Sequence, residues 1–526
     1  MVKFALKSST AGVAYVSVDG GYLQTPQDAA IVRENQKRAN STRITNNDVM
    51  LKRAPDIAAM CDYWDKTTSI IDGIDAMRLG GTEFLPCFTM EDQIEYDFRL
   101  SLTKMTNVYR DIVESLAAKP FEREVCIKND DTVAEIDAFE DDVDGAGSDL
   151  TVFSNAVFFN GINSAIDWIY VDYPVRDPSV TTLEQFKAAG YRPYWSRVLA
   201  SNMLIVKSKM INSVETLTFV RILEPGSGDE PNHIREFERL NDGTVTCKVY
   251  RDSGTMNNET KTAYVLDTEV QLSITKIPLV PFITGRRDGR TWRVFPAMQD
   301  AADLQVELYQ QESGLKFAKT LTAYPMLSAS GVTPERDQAG KPIPVRVGPN
   351  RILYAPPTGD GKFGKWEYIE PSAESLKFLA ADIEATIKEL RELGRQPLTT
   401  SSQNLTKETT QVAAGKAKSA IKQWAIGLQN ALEKALQLTI EYMQIEFEPS
   451  VDVYTEFDEF YDDKSLTSLR ADRDKGDLSR WTYWAEMKRR GVYSPDFDPV
   501  EEEARLLAAT PSDGPDLTQQ VDNPED

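Results

Sequence analysis

The sequence predicts an α+β chain with a mostly helical core and one antiparallel β-meander. Apolar residues recur three and four apart from Asn47 to Pro120 and again from Pro296 onward, whereas between Trp195 and Ile277 the spacing drops to two. The β-rich runs are divided by turn chemistry such as Gly226-Ser227-Gly228-Asp229 and Asn241-Asp242-Gly243. No alternation of strand and helix at the roughly 30-residue repeat of a βαβ unit occurs, which disfavours a doubly wound nucleotide-binding domain.

At 526 residues the chain exceeds what one hydrophobic core supports, so several units around a large interior are expected. Residues 1–45 are polar and weakly patterned and read as an arm. Helical spacing then joins Ile57, Met60, Cys61 and Trp64, and later Met105, Val108, Tyr109, Ile112, Val113 and Leu116. The acidic run Asp130 to Asp149 lacks the spaced ligands and closing glutamate of a calcium loop, so it reads as a solvated loop. Phe153, Val157, Ile162, Ile166 and Ile169 continue a helical pattern over residues 150–172. Strands are expected at Met203 to Val206, Thr216 to Ile222, Thr244 to Tyr250, Ala263 to Leu266 and Leu272 to Ile277.

From Pro296 to Pro325 the face Leu304, Leu308, Leu315 and Ala318 marks a helix. A proline- and glycine-rich module with short β-runs follows. Between Gly331 and Ile369 it holds six bases against four acids, a slightly basic island in an acidic chain. Ser372 and Glu374 open a second helix striped by Leu376, Leu379, Ala380, Ile383, Ile387 and Leu390, which Gly394 and Pro397 end. The uncharged run Leu398 to Thr406 precedes the longest helix, Glu408 to Glu446. There Ala417, Ile421, Trp424, Leu428, Ala431, Ala435, Leu438, Tyr442 and Ile445 alternate steps of four and three, the mark of a straight helix packed along one seam. At 1.5 Å per residue it would reach roughly 58 Å. The remainder is acidic, with an aromatic patch at Trp481, Tyr483 and Trp484 and a tail of disordered composition from about Thr510.

Net charge is −23, with 82 acids against 59 bases, so the chain lacks the cationic surplus that grips nucleic acid. The one basic cluster is Arg286, Arg287, Arg290 and Arg293, at the lead-in to the first long helix. No apolar stretch approaches the roughly 20 residues of a membrane span, and the N-terminus lacks a signal peptide's apolar core, so a soluble protein made in the cytoplasm is expected. Cys61, Cys87, Cys126 and Cys247 show no metal spacing and read as four buried reduced thiols, and the single histidine, His233, offers no basis for acid–base chemistry. Neither a phosphate-cradling GxxxxGK[ST], a GxSxG elbow nor an HExxH is present. No catalytic, metal or cofactor residue is therefore assigned, and a non-enzymatic role is expected.

Several short motifs occur in a telling order. They are Phe84-Leu85-Pro86, Glu95-Tyr96 with Arg99-Leu100, Asn107, Lys119-Pro120-Phe121, Arg192-Pro193-Tyr194 before Asn202, Ile277-Pro278-Leu279-Val280-Pro281-Phe282, and Leu393-Gly394 before Asn404-Leu405-Thr406. Across about residues 50–450 this order resembles the portal family of tailed bacteriophages, the head-to-tail connectors, in a branch long catalogued as a phage domain of unknown function. The polar arm and the acidic insertion near Asp141 depart from the family's usual pattern.

The resemblance implies a portal-type ring subunit, usually one of twelve, surrounding a channel for double-stranded DNA. It implies an N-terminal arm at 1–45, a wing at 46–295, a first stem helix at 296–324 and a clip at 325–370. A second stem helix would span 371–394, a tunnel loop 395–407, a long wing-to-crown helix 408–446, a crown 447–509 and a disordered acidic tail 510–526. Thr399, Thr400, Ser401, Ser402, Gln403 and Asn404 would face DNA or form an exposed connector. Arg346, Arg351, Lys362, Lys365 and Trp366 would dock the terminase large subunit and then the head–tail adaptor, and the major capsid and scaffold proteins would be further partners. The four clustered arginines would pair with acids of a neighbouring subunit or contact DNA. The expected location is the capsid portal vertex of a virion, with no membrane and no cofactor. The alternatives are another phage structural protein, such as a tail or baseplate scaffold or minor head protein, and an enzyme of unrecognised type.

Overall fold

The computed structural model describes residues 48–89, 91–128, 134–174, 191–226, 230–257, 261–322, 326–330, 365–369, 373–393, 407–455, 463–489, 492–493 and 497–509. The chain divides into two compact units, Met1–Thr455 and Glu456–Asp526. Helices and antiparallel sheets mix in the first unit, so the α+β expectation holds.

The first unit opens with helices α1 (Pro55–Ala58), α2 (Cys61–Asp72), α3 (Ile74–Gly80), α4 (Gln93–Ser101) and α5 (Val108–Ala118). Asp92 caps α4 through the Glu95 amide at 2.8 Å and Asn107 caps α5 through Arg110 at 3.0 Å, so their starts are fixed by side-chain acceptors. Tyr63 and Trp64 of α2 donate to the carbonyls of Asn163 and Ser164, both at 2.9 Å, which pins α2 to the end of α7 (Leu150–Ser164).

The expected continuous helix over 150–172 is not what forms. Ala165, at φ 67°, ends α7, and Ile166–Asp172 is strand β2 in a three-stranded sheet of order β3-β2-β9, with β3 at Tyr194–Val198 and β9 at Leu279–Ile283. As the central strand β2 is covered on both faces, and a continuous apolar run does not distinguish that case from a buried helix. The acidic insertion is also not simply a loop. After β1 (Cys126–Ile127), helix α6 (Ala134–Asp141) buries Ile136 and Phe139, and the Phe139 ring meets Trp195 edge-on at 5.1 Å. In the loop that follows, Asp144 accepts from the Ala146 and Ser148 amides, and Asp142 accepts from the Gly147 amide and pairs with Arg192.

The meander is a five-stranded antiparallel sheet in sequence order: β4 (Met203–Ile211), β5 (Val214–Glu224), β6 (His233–Arg239), β7 (Val245–Asn257) and β8 (Thr262–Gln271). It contains β6, which the sequence did not reveal, and lacks the strand expected at Leu272 to Ile277. After Gln271 the ladder is exhausted and that stretch only turns the chain toward β9.

A two-residue hairpin, β10 (Arg286–Arg287) with β11 (Val294–Phe295), leads into α8 (Gln299–Thr322). Two of the polar positions on α8 are buried and fully engaged: Glu312 accepts from the Thr106 amide and hydroxyl, both at 2.6 Å, and Gln305 exchanges bonds with Tyr109 and Thr106. Beyond α8, β12 (Met326–Ser330) pairs antiparallel with β13 (Lys365–Ile369), and α9 (Ala373–Leu393) returns along α8.

Helix α10 (Lys407–Met443) then lies on the three-stranded sheet; its 37 residues reach about 55 Å. Its buried set includes Ala425, Leu432 and Leu436 as well as Ile421, Trp424, Leu428, Ala431, Ala435 and Leu438 of the seven-residue stripe, so it packs over a wide face rather than along one seam. Strand β14 (Val451–Asp452) pairs with β1. The second unit holds α11 (Asp463–Lys475), α12 (Arg480–Arg489) and α13 (Pro499–Ala509); the Trp484 ring of α12 meets Phe497, which stacks on Tyr493, and Trp481 of α12 donates to Glu503 of α13. The thiols differ from expectation: Cys247 is buried, Cys61 half-buried, and Cys87 and Cys126 exposed.

Candidate functional site

Alternation within Thr291-Trp292-Arg293-Val294-Phe295 builds the arginine cluster. Trp292 and Val294 point inward, and the Trp292 ring lies 5.2 Å from Trp168 of β2, so the hairpin is rooted in the core. Arg293 and Phe295 point outward with Arg286, whose register partner is Phe295. Gly289, at φ 57°, supplies the left-handed residue of the connecting turn.

The four arginines do not act alike. Arg287 forks onto Glu215 at the start of β5 at 2.7 and 2.8 Å, donates to the Thr291 carbonyl at 2.7 Å and lies 4.0 Å over the Trp292 ring. Those hydrogen bonds hold the Glu215 carboxyl down to about 2. Arg287 thus has a partner acid within its own chain. Arg286 and Arg293 sit over the Phe295 ring at 5.2 and 4.9 Å, and Arg290 is exposed on the turn. Among the described residues no carboxylate forms an ion pair with these three. Arg286 and Arg293 are thus cations stacked on an aromatic ring, and Arg290 is displayed on the turn between them.

Arg293 and Phe295 also line a depression of about 180 Å³ with Asp62, Tyr63 and Lys66. Among the described residues no cluster of His, Cys, Asp or Glu is arranged to hold a metal, and no helix is long and apolar enough to cross a membrane.

The other expected site residues are mostly out of view. Thr399, Thr400, Ser401, Ser402, Gln403 and Asn404, together with Arg346, Arg351 and Lys362, lie outside the described residues. Lys365 and Trp366 stand on β13 opposite Ser330 and Ala329. Sequence reasoning missed Glu215 as the anchor of Arg287 and Phe295 as the stacking platform. The second was legible in the two-residue alternation; the first, 72 residues away, was not.

Residues 297–443, which run from the lead-in of α8 to the end of α10, match a family model described as a domain of unknown function, DUF4055. No curated protein matches the chain. Among solved structures, one similar chain comes from the neck of an empty GTA particle computed with C6 symmetry, at 12% identity and TM-score 0.37, covering 77% of this chain and 90% of that one. Another comes from the neck of a native GTA particle computed with C12 symmetry, at 12% identity and TM-score 0.35 with the same coverage.

Proposed function

We propose that this chain is the portal subunit of a tailed-phage particle, a ring-forming, non-catalytic channel for double-stranded DNA at a capsid vertex. The observation that carries the reading is the excursion α8–β12–β13–α9, an antiparallel helix pair closed by a strand pair, followed by a long helix lying back on the sheet. It supports a stem with a clip at its end, in the chain order that the sequence motifs led us to expect. The outer face of α9 leaves Phe378 73% exposed, an apolar side chain suited to a neighbouring copy.

Electrostatics supplies the mechanism. Twelve copies would carry 12 × −23 = −276 formal charges, a wall that repels phosphates and lets DNA slide rather than stick. The clip would receive the packaging terminase and then the head–tail adaptor. Negative-stain microscopy of the purified chain should show rings with a central hole, and filter binding at physiological salt should show no tight retention of duplex. Solid particles, persistent monomers or firm clasping of DNA would overturn the proposal.

A further inference from the structure

The five-stranded meander has two edges of opposite charge. Strand β8, TAYVLDTEVQ, carries Asp267 and Glu269 and no base; β4, MLIVKSKMI, carries Lys207 and Lys209 and no acid. Residues Val265 to Glu269 are exposed in succession, with Val265 at 60% and Leu266 at 47%, so among the described residues this part of β8 is bare on both faces. The first half of β4 is covered, since Met203, Leu204 and Val206 are buried and the Ala54 amide donates to the Leu204 carbonyl at 2.8 Å. Its second half is open, with Lys207, Lys209 and Met210 exposed.

Unpaired strand edges invite another strand, and charged side chains commonly guard them. Here the guard depends on sign. An edge meeting its own copy about a two-fold axis would set Lys207 and Lys209, or Asp267 and Glu269, against themselves, which like charges resist. Only β8 against β4 is attractive. Successive antiparallel pairing leaves β4 and β8 running the same way, so a rotation that repeats the subunit brings β8 beside the next β4 as parallel neighbours. That contact is heterologous, the kind that closes a ring. Among the described residues, existing contacts do not consume the charges: Glu269 shares a surface pair with Lys248 at 3.4 Å, and Lys207 rests 5.3 Å over Phe219.

We propose that β8 of one copy docks on the open half of β4, Lys207 to Ile211, of the next copy, extending the sheet from subunit to subunit. The proposal rests on the ring reading above and names the seam. Two variants test it, Lys207→Glu with Lys209→Glu and Asp267→Lys with Glu269→Lys, both checked for an unchanged melting transition. Each alone should raise the concentration at half-assembly about tenfold or more, measured by sedimentation and microscopy. An equimolar mixture should regain rings, because alternating copies restore every unlike contact, and the fourfold variant should assemble by itself. Wild-type rings that persist unchanged in both variants would overturn the seam and leave the portal reading standing. Loss of rings with rescue by neither the mixture nor the fourfold variant would also overturn it, by showing damage to the subunit instead. A wild type that forms no rings would sink the seam and the portal reading together.

Discussion

Gly161→Ala sets helix propensity against packing, and the structure decides which wins. Alanine in the interior of α7 gains about 1 kcal/mol of propensity over glycine. A Cβ at this position, however, would fall well inside 3.0 Å of Cε1 and Cδ1 of Phe282. That ring is fully buried, stacks on Phe158 at 5.6 Å and has Gly427 of α10 on its far edge, where an added Cβ would stand 3.8 Å away. The ring therefore has little room to retreat. Relief requires α7 and β9 to separate, which strains the 2.6 Å bond from the Thr284 hydroxyl to the Gly161 carbonyl. Overpacking costs about 1–3 kcal/mol and a weakened hydrogen bond about 1 more, so the net loss should be about 1–3 kcal/mol. Urea denaturation of the variant measures it. Adding Phe282→Leu should recover part of the loss, giving a coupling of about 1 kcal/mol or more in a double-mutant cycle. A neutral Gly161→Ala, or strictly additive costs, would refute the claim that one rigid ring joins the helix, the strand and α10.

Arg99 is 2% exposed, forks onto Glu91 with both bonds at 2.7 Å, and holds that carboxyl below its ordinary range, so Arg99→Leu alone should cost about 3–5 kcal/mol in denaturation and the double replacement of the pair less. Asp167 is fully buried, and burial pushes its carboxyl well up against the weaker opposing pull of the Arg197 charge, the Trp168 amide and the Asn160 side chain. The folded chain thus holds this proton more tightly than the unfolded one. The stability so gained is complete below the unfolded value of about 3.9 and is lost as pH rises through the folded value, so Asp167→Asn should flatten that decline and stabilise at pH 7 by about 1–3 kcal/mol in pH-resolved melts. A thiol reagent should label Cys87 and Cys126 in the native protein and reach Cys247, whose thiol burial pushes up to about 11, only on unfolding; mass spectrometry of the labelled peptides reads this directly.

The helices of the excursion were legible because apolar residues recur in them at helical spacing and their ends are marked by proline and glycine, although the buried face of α8 also takes in Gln305 and Glu312. Strand β6, HIREFER, was not, because its only buried apolar residues, Ile234 and Phe237, are three apart and its charges look like a solvated surface. Those charges are cross-strand partners: Arg235 bonds Glu224 and Arg221 bonds Glu236, both at 2.7 Å, and such pairs appear only once the ladder exists. Strand β2 was misread for the opposite reason, since burial on both faces erases the alternation that identifies a strand. Helix α6 was hidden because its acids outnumber its two inward residues. In the candidate site the arginines were visible as composition, but their division into one anchor and three displayed cations depends on Glu215, which arrives from another strand.

That division sharpens what the cluster can bind. Arg287 is committed, so reversing its charge would break the link between β10 and the β4–β5 hairpin and confound any test of partners. Arg286 and Arg293 are ordered by the Phe295 ring before anything binds, which lowers the entropy lost when they meet an anion. On the ring reading proposed above, such cations would meet the carboxylates of the next copy before they meet DNA held off by the same acids. Reversal of Arg286, Arg290 and Arg293 to glutamate should therefore impair ring assembly and leave the melting transition of the subunit in place. If rings assemble normally and only DNA packaging fails, the arginines face the duplex and this reasoning about their partner is wrong.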